Sequence, residues 1–215
     1  MKHYKIKKMV LLAMLAALSY LAVMLIQIPV VAFLKYEPKD VVITIAGFLF
    51  GPLAGLLISL TVSLLEMVTF STTGIIGCIM NFLSTCSFVC VAAAIYKKHR
   101  TQWGALIGLA AGSLTMVSVM LLWNWLLTPL YMETTRSEVV QLLLPVFLPF
   151  NLLKAGLNSG LTMLIYKPVS VSLRKAKLLP PSPAPAKSSH VWVSLLAAAV
   201  AVTCILVILI FQGIL

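Results

Sequence analysis

The sequence has few charged residues and very few acids. Only 10% of its 215 residues are charged and five are acidic, whereas 61% are hydrophobic. Ordinary soluble domains have about 25% charged residues, so this composition excludes that class. The few acids are also scattered, which leaves no visible acid and base pair for catalysis.

Recognisable catalytic motifs are missing as well. No G-x-x-x-x-G-K-[ST] phosphate loop occurs, so the chain lacks the usual means of hydrolysing ATP. Neither H-E-x-x-H nor G-x-S-x-G is present. The cysteines, Cys78, Cys86, Cys90 and Cys204, lie within apolar runs, and no nearby histidine completes a set of metal ligands around Cys86 and Cys90. We predict no enzymatic activity and no bound metal.

What the sequence has instead is a series of long apolar runs. They are Met9–Ile28, Val41–Phe70, Gly74–Tyr96, Trp103–Thr128, Leu142–Tyr166 and Val191–Leu215. A helix needs about 20 apolar residues to cross a bilayer. The first run follows the basic segment Met1–Lys8 and has no small-residue cleavage site, so we interpret it as a retained helix. The sequence predicts an all-α, polytopic membrane protein.

The second run decides the topology. If it crossed once, Lys97, Lys98 and Arg100 would lie outside, against the preference of basic residues for the cytoplasm. Gly51 and Pro52 can break it into two passes. The amino terminus is then cytoplasmic, and the loops at 33–40 and 131–138 lie outside. The first arm, residues 41–50, is too short to span, so we expect its outer end below the surface and a loop dipping in above it.

A proline-rich stretch divides the chain near its end. Four prolines between Leu178 and Ser189 favour an extended tether. We predict a six-helix membrane domain over residues 1–174, a cytoplasmic linker over 175–190, and an additional transmembrane helix over 191–215 that ends outside. This last helix has no charged residue and few small-residue pairs, so we interpret it as a lipid-facing accessory.

Polar side chains within the apolar runs indicate where a site lies, since they are costly in a membrane and usually face a partner or cavity. The candidates are Glu66, Asn81 and Asn124 toward the outer helix ends, and Asn151, Lys154 and Asn158 on one stripe of the sixth helix. All converge on the outer half of the bundle, which disfavours a continuous polar conduit. The structural alternative is that they only bond to neighbouring helices, most strongly as an ion pair between Glu66 and Lys154.

Four motifs in order resemble a known family. They are Phe33 to Asp40, Gly47 to Pro52, Asn124 to Tyr131, and Leu144 to Ser159. Together they resemble the riboflavin-specific S components of energy-coupling factor (ECF) vitamin importers, over about residues 1–174. The resemblance implies a six-helix bundle that binds riboflavin from outside in the cell membrane. It also implies a transmembrane coupling subunit and two cytosolic ATPases as partners, which would explain the missing phosphate loop.

The resemblance also implies roles for particular residues. Leu34 and Tyr36 would cover the flavin ring, and Asn124, Asn151 and Lys154 would hydrogen-bond its polar edge or its ribityl chain, with Asn81 and Glu66 as further candidates. Ala13 and Ala17 match a small-residue face that meets the coupling subunit. No cofactor is expected beside riboflavin as transported substrate. The alternatives are an S component for another vitamin, such as thiamin or biotin, and a membrane scaffold or enzyme.

Overall fold

The computed structural model describes residues 2–31, 34–71, 73–132, 134–179 and 191–214. Its helices are α1 (Lys2–Leu25), α2 (Lys39–Phe50), α3 (Pro52–Thr69), α4 (Gly74–Lys98), α5 (Gln102–Met132), α6 (Arg136–Leu142), α7 (Leu148–Lys175) and α8 (Val191–Phe211). Two short strands, β1 (Ile28–Val31) and β2 (Leu34–Tyr36), form an antiparallel hairpin. Within these ranges, six helical segments are long and apolar enough to cross a membrane: α1, α3, α4, α5, α6 with α7, and α8. The predicted polytopic helical fold is confirmed.

The hairpin is an element that the sequence pattern did not predict. The first helix was expected to reach Ile28, but α1 ends at Leu25 and the chain turns into β1. Pro29 has no N–H to continue a helix, and the β-branched residues beside it favour extended backbone. Val30 and Tyr36 are buried against the bundle. The first outer loop therefore lies down on the protein, as the short second helix led us to expect.

The predicted break between the second and third helices is confirmed at Gly51. Its φ of 97° lies in the left-handed region that favours glycine. Pro52 then opens α3, where its missing N–H loses no helical hydrogen bond. Since α2 has 12 residues, it is about 18 Å long at 1.5 Å per residue and does not span a bilayer. It begins inside the protein, with Lys39 and Asp40 at 1% and 0% exposure.

A widened turn over Leu143–Phe147 joins α6 to α7. The N–H of Leu148 donates to the carbonyl of Leu143, five residues earlier instead of four. Pro145 and Pro149 lie in and beside this turn, and a proline ring clashes with the carbonyl four residues before it. The wider turn relieves that conflict, and turns of this kind are frequent at functional sites. Asn151, in the first turn of α7 that follows, is buried in the bundle.

Glycines bring neighbouring helices together, as the sequence predicted. A Cβ added at Gly108 would lie 2.7 Å from the carbonyl oxygen of Ala92, and one at Gly112 would lie 2.6 Å from that of Phe88. Only glycine permits this approach of α5 to α4. Close backbone contact of this kind is a principal source of helix association in membranes.

The last helix, α8, packs along α7. Its buried side chains, three or four residues apart, are Val193, Ala197, Ala201, Cys204 and Ile208. A Cβ at Gly160 of α7 would lie 2.8 Å from the carbonyl oxygen of Ala197. The interpretation of this helix as lipid-facing with few small-residue contacts is therefore wrong for one face, although Leu195, Leu206 and Ile210 on its other faces are exposed. Most of the proline-rich linker, residues 180–190, lies outside the described residues.

The two ends of the bundle differ in chemistry. At the end where α2 meets α3, the rings of Phe48 and Tyr96 stack with centroids 4.4 Å apart, and the hydroxyls of Tyr96 and Tyr166 are 2.9 Å apart. These rings fill the bundle interior. Lys8 lies at the same end, with its Nζ 6.0 Å from the ring centroid of Phe50. The buried acids lie at the opposite end, which agrees with the expectation that no polar conduit runs through the bundle.

Candidate functional site

A cavity of about 240 Å³ lies at the end of the bundle that carries the hairpin. Its walls come from the hairpin and the adjoining ends of α3, α4, α5 and α7. Its lining combines apolar side chains, including Ile76, Met80, Met120 and Phe150, with a larger number of polar and charged ones. Sites for small molecules pair apolar walls with polar groups that fix the orientation of the ligand, and their volumes are usually about 300–1,000 Å³. The cavity therefore suits one compact ligand that has an apolar body and several polar groups.

The cavity brings together six of the seven side chains that the sequence assigned to a substrate site. They are Leu34, Glu66, Asn81, Asn124, Asn151 and Lys154. The seventh, Tyr36, is not part of this lining. It is 4% exposed, and its hydroxyl donates to Oδ1 of Asn158 at 3.1 Å. Burial raises the pKa of the Tyr36 phenol, so it remains a donor. Of these two hairpin residues, Leu34 lines the cavity and Tyr36 anchors the hairpin to α7.

The asparagines in the cavity are held in defined orientations. Nδ2 of Asn124 donates to the carbonyl of Met120 at 2.7 Å, while its Oδ1 accepts from Thr128 at 3.3 Å. Nδ2 of Asn151 donates to the carbonyl of Phe147 at 2.7 Å. Oδ1 of Asn151 has no hydrogen-bond partner among the described residues, although Asn151 is 1% exposed. A buried acceptor left unpaired is unfavourable, so this oxygen marks a place where a ligand can donate.

An ion cluster centred on Lys39 lies beside the cavity. Nζ of Lys39 is 2.6 Å from both carboxylate oxygens of Glu66 and 2.7 Å from Oε2 of Glu37. Asn81 also donates to Glu66, at 2.9 Å. The cluster joins the start of α2 to the outer ends of α3 and α4. Glu66 thus pairs with Lys39, and the alternative in which Glu66 pairs with Lys154 is not the arrangement found.

Lys154 instead faces Asp40, with 3.3 Å between Nζ and Oδ2. Asp40 is fully buried and also accepts from Thr85 at 2.6 Å and from Nδ2 of Asn158 at 3.2 Å. Three partners therefore compensate the desolvation of one carboxylate. Asn158 bonds to Asp40 and Tyr36 and is not part of the cavity lining, in line with the structural alternative raised for this residue. Lys154 differs because it also lines the cavity.

Sequence reasoning missed Lys39 and Ser84. A helix-start signal was available for Lys39, because Pro38 precedes a charged pair that opens an apolar run. It would have placed both charges in a buried first turn. Ser84 lies within an apolar run and gave no signal. It is 2% exposed, lines the cavity, and its Oγ has no partner within the part of the chain that the structure describes.

The small-residue face of α1 points away from the bundle. Ala13 and Ala17 are both exposed, while Leu11 and Ser19 on the other side of the helix are buried. A stripe of small side chains on an outer surface permits another helix to approach closely. The position of these two residues is compatible with a partner contact and separate from the cavity.

Comparison with known proteins finds similar sequences over most of the chain. A family model described as the ECF transporter, substrate-specific component, matches residues 7–166. The chain is 28% identical over 177 residues to the riboflavin transporter RibU of Staphylococcus aureus (strain TCH60), covering 79% of this chain and 93% of that protein. It is 27% identical over 174 residues to the riboflavin transporter FmnP of Bacillus subtilis (strain 168), covering 75% and 91%.

A solved structure also resembles this fold. It is the structure of the S component of a bacterial ECF transporter. The two folds superpose with a TM-score of 0.68 at 30% sequence identity. The match covers 79% of this chain and 99% of that one. The family match ends at residue 166, so α8 lies beyond it.

Proposed function

The chain belongs to the family of substrate-specific components of ECF transporters, and on that basis we propose that it captures riboflavin from outside the cell for uptake. Both relatives named above are riboflavin transporters. A component of this family binds the substrate and is not an enzyme. ATP hydrolysis on partner subunits would supply the energy, in accord with the missing phosphate loop.

The observation that carries this proposal is the unpaired Oδ1 of the buried Asn151 in the lining of the cavity. The isoalloxazine ring of riboflavin is flat and apolar on both faces, and one edge carries an imide N–H between two carbonyls. Met80, Met120 and Phe150 supply apolar contacts for such a ring, and Asn151 supplies an acceptor for the imide N–H. Lys154 supplies donors for a carbonyl.

The charge distribution supports uptake from outside. Lys8 and the basic ends of α4 and α7 lie away from the cavity, and basic residues favour the cytoplasmic side. The amino terminus is then cytoplasmic, the cavity opens outward, and α8 ends outside. Ala13 and Ala17 would contact the transmembrane coupling subunit, which in turn engages two cytosolic ATPases.

Titration with riboflavin tests the proposal. Purified protein should quench flavin fluorescence at one-to-one stoichiometry, and neither thiamin nor biotin should displace the flavin. Asn151→Leu should weaken riboflavin by roughly tenfold or more, because the imide N–H would lose its acceptor on binding. Val171→Ala, a change at an exposed position of the same helix, serves as the control. An absence of quenching at high riboflavin concentration would refute the assignment, and displacement by thiamin or biotin would transfer it to another vitamin.

A further inference from the structure

Ser84 differs from most buried hydroxyls in this protein. Helical serines and threonines commonly bond to the carbonyl three or four residues earlier. Ser19, Thr44 and Ser59 do so here, with distances of 2.7, 2.6 and 2.9 Å. The Oγ of Ser84 has no such partner in the described part of the chain, although Ser84 is 2% exposed. Its hydroxyl is desolvated and unpaired in a residue that lines the cavity.

The next residue fixes the direction in which Ser84 points. Thr85 donates to Asp40 at 2.6 Å, and Asp40 is bound in turn by Asn158 and Lys154. This contact ties α4 to α2 and α7 and prevents α4 from rotating. On α4, the lining residues Ile76, Gly77, Met80, Asn81 and Ser84 follow one side of the helix inward from its outer end. Ser84 is therefore at the inner end of this stripe.

From this geometry we propose that Ser84 is a specificity-determining residue that donates to a carbonyl of the flavin imide edge. The inference rests on riboflavin being the ligand. Met80, Met120 and Phe150 in the lining supply apolar contacts for the rigid ring, whereas the less buried lining residues Gln27, Lys35 and Glu37 can share the ribityl hydroxyls with water. The ring enters first, and its imide edge reaches Ser84, Asn151 and Lys154.

The three groups complement the imide edge. That edge presents an acceptor, a donor and an acceptor in order. The serine hydroxyl and the lysine ammonium donate, and Oδ1 of Asn151 accepts. A ring that lacks one of these groups leaves a buried partner unpaired, and such mismatches give strong discrimination. Ser84 would thus help to distinguish flavins from other flat molecules of similar size.

The test compares Ser84→Ala with Thr162→Val in the full-length protein. Thr162 is also buried with an unpaired Oγ1 in the described structure, but it is not among the cavity-lining residues. Ser84→Ala should weaken riboflavin by about 3- to 10-fold, as expected for one neutral hydrogen bond. The ligand-free melting temperature should stay the same or rise, because an unpaired hydroxyl is removed. Thr162→Val should leave the affinity unchanged.

Lumiflavin, which has the ring but no ribityl chain, shows whether the Ser84 hydroxyl contacts the ring or the ribityl chain. An equal loss of affinity for lumiflavin and riboflavin in Ser84→Ala is the expected result. A loss for riboflavin alone would place the hydroxyl on the ribityl chain and overturn the assignment. Unchanged riboflavin affinity, or a lower ligand-free melting temperature without an affinity change, would show a purely structural serine. A wild-type protein that fails to bind riboflavin would instead refute the proposed function.

A separate observation concerns α8 and the hairpin. Cys204 and Ile208 of α8 pack in one buried cluster with Val30 and Tyr36 of the hairpin. Nε2 of Gln212 donates to the carbonyl of Pro29 at 2.6 Å. The hairpin forms part of the cavity wall through Leu34 and Lys35. We infer that α8 braces the hairpin from behind and slows its opening, and thereby slows ligand release.

The rate of riboflavin dissociation from the full-length protein tests whether α8 stabilises the hairpin. In an Ile208→Ala/Gln212→Ala variant, riboflavin dissociation should become roughly tenfold faster, since changes at a binding interface act mostly on the off-rate. Leu206→Ala, at a position 47% exposed on the same helix, should leave the rate unchanged. A variant that folds and releases riboflavin at the wild-type rate would overturn the inference. Equal acceleration by Leu206→Ala would do so too, because it would show a general effect of α8 stability.

Discussion

Replacement of Lys154 separates ligand binding from internal ion pairing. In Lys154→Met the apolar stem remains, but Asp40 loses a cation 3.3 Å away. At an effective dielectric constant of 20, attraction at that distance is about 5 kcal/mol before desolvation is counted. Breaking a buried pair typically destabilises by 3–5 kcal/mol. Because Asp40 keeps Thr85 and Asn158 as partners, we expect the free energy of unfolding to fall by about 3 kcal/mol, the lower end of that range.

A contact with riboflavin adds a second effect. If Lys154 donates to the flavin, Lys154→Met should weaken binding by about 1.5–3 kcal/mol, the range for a hydrogen bond to a charged group. That is roughly one to two orders of magnitude in the dissociation constant. Fluorescence quenching measures this constant, and ligand-free thermal unfolding measures stability on the same samples.

A second substitution distinguishes the two effects. Asp40→Asn removes the stranded carboxylate, so the Asp40→Asn/Lys154→Met protein should regain most of the lost stability while its riboflavin affinity stays low. Glu66→Gln should give no such rescue, because Glu66 pairs with Lys39. Rescue by Glu66→Gln but not by Asp40→Asn would refute the pairing seen here. Wild-type affinity in Lys154→Met would remove this residue from the site.

Three further outcomes are expected. Ala13→Trp or Ala17→Trp should leave riboflavin binding intact and lower recovery of the complex with the coupling subunit. Ile107→Trp, which adds bulk at an exposed position on α5, should leave recovery of the complex unchanged. Loss of riboflavin binding with normal recovery of the complex would contradict the expected role of Ala13 and Ala17. Lys39→Met should lower the free energy of unfolding by about 3–5 kcal/mol, because Glu37 and Glu66 lose their shared cation. Lys35→Met, at an exposed lysine, should change the free energy of unfolding by less than about 0.5 kcal/mol. An equal loss of stability in the two variants would refute the stabilising role of the Lys39 cluster. Truncation after Lys177 should retain a riboflavin-binding core with a lower melting temperature, since the family match ends at residue 166; an aggregated protein without binding would show that α8 is part of the core.

The membrane fold was predictable because its determinants are local. Bilayer thickness fixes the length of an apolar run, and basic residues fix its orientation, so hydropathy and charge predicted the six-helix core and the extra helix. The break at Gly51 followed from the backbone chemistry of glycine and proline. Five polar residues of the cavity lining were also visible as polar groups within apolar runs, since such groups usually face a partner or a cavity.

The pairings within the site were decided by tertiary structure alone. Glu66 and Asp40 both lie near the outer end of the bundle, and the sequence cannot show which of them faces Lys154. Successive residues on a helix point about 100° apart, so a small rotation of α2 would turn Asp40 away from Lys154. The same holds for Ser84, whose unpaired hydroxyl depends on the rotation that Thr85 fixes, and for α8, whose buried face depends on docking against Gly160. Sequence determines which side chains must leave the lipid, and packing between helices determines which of them meet.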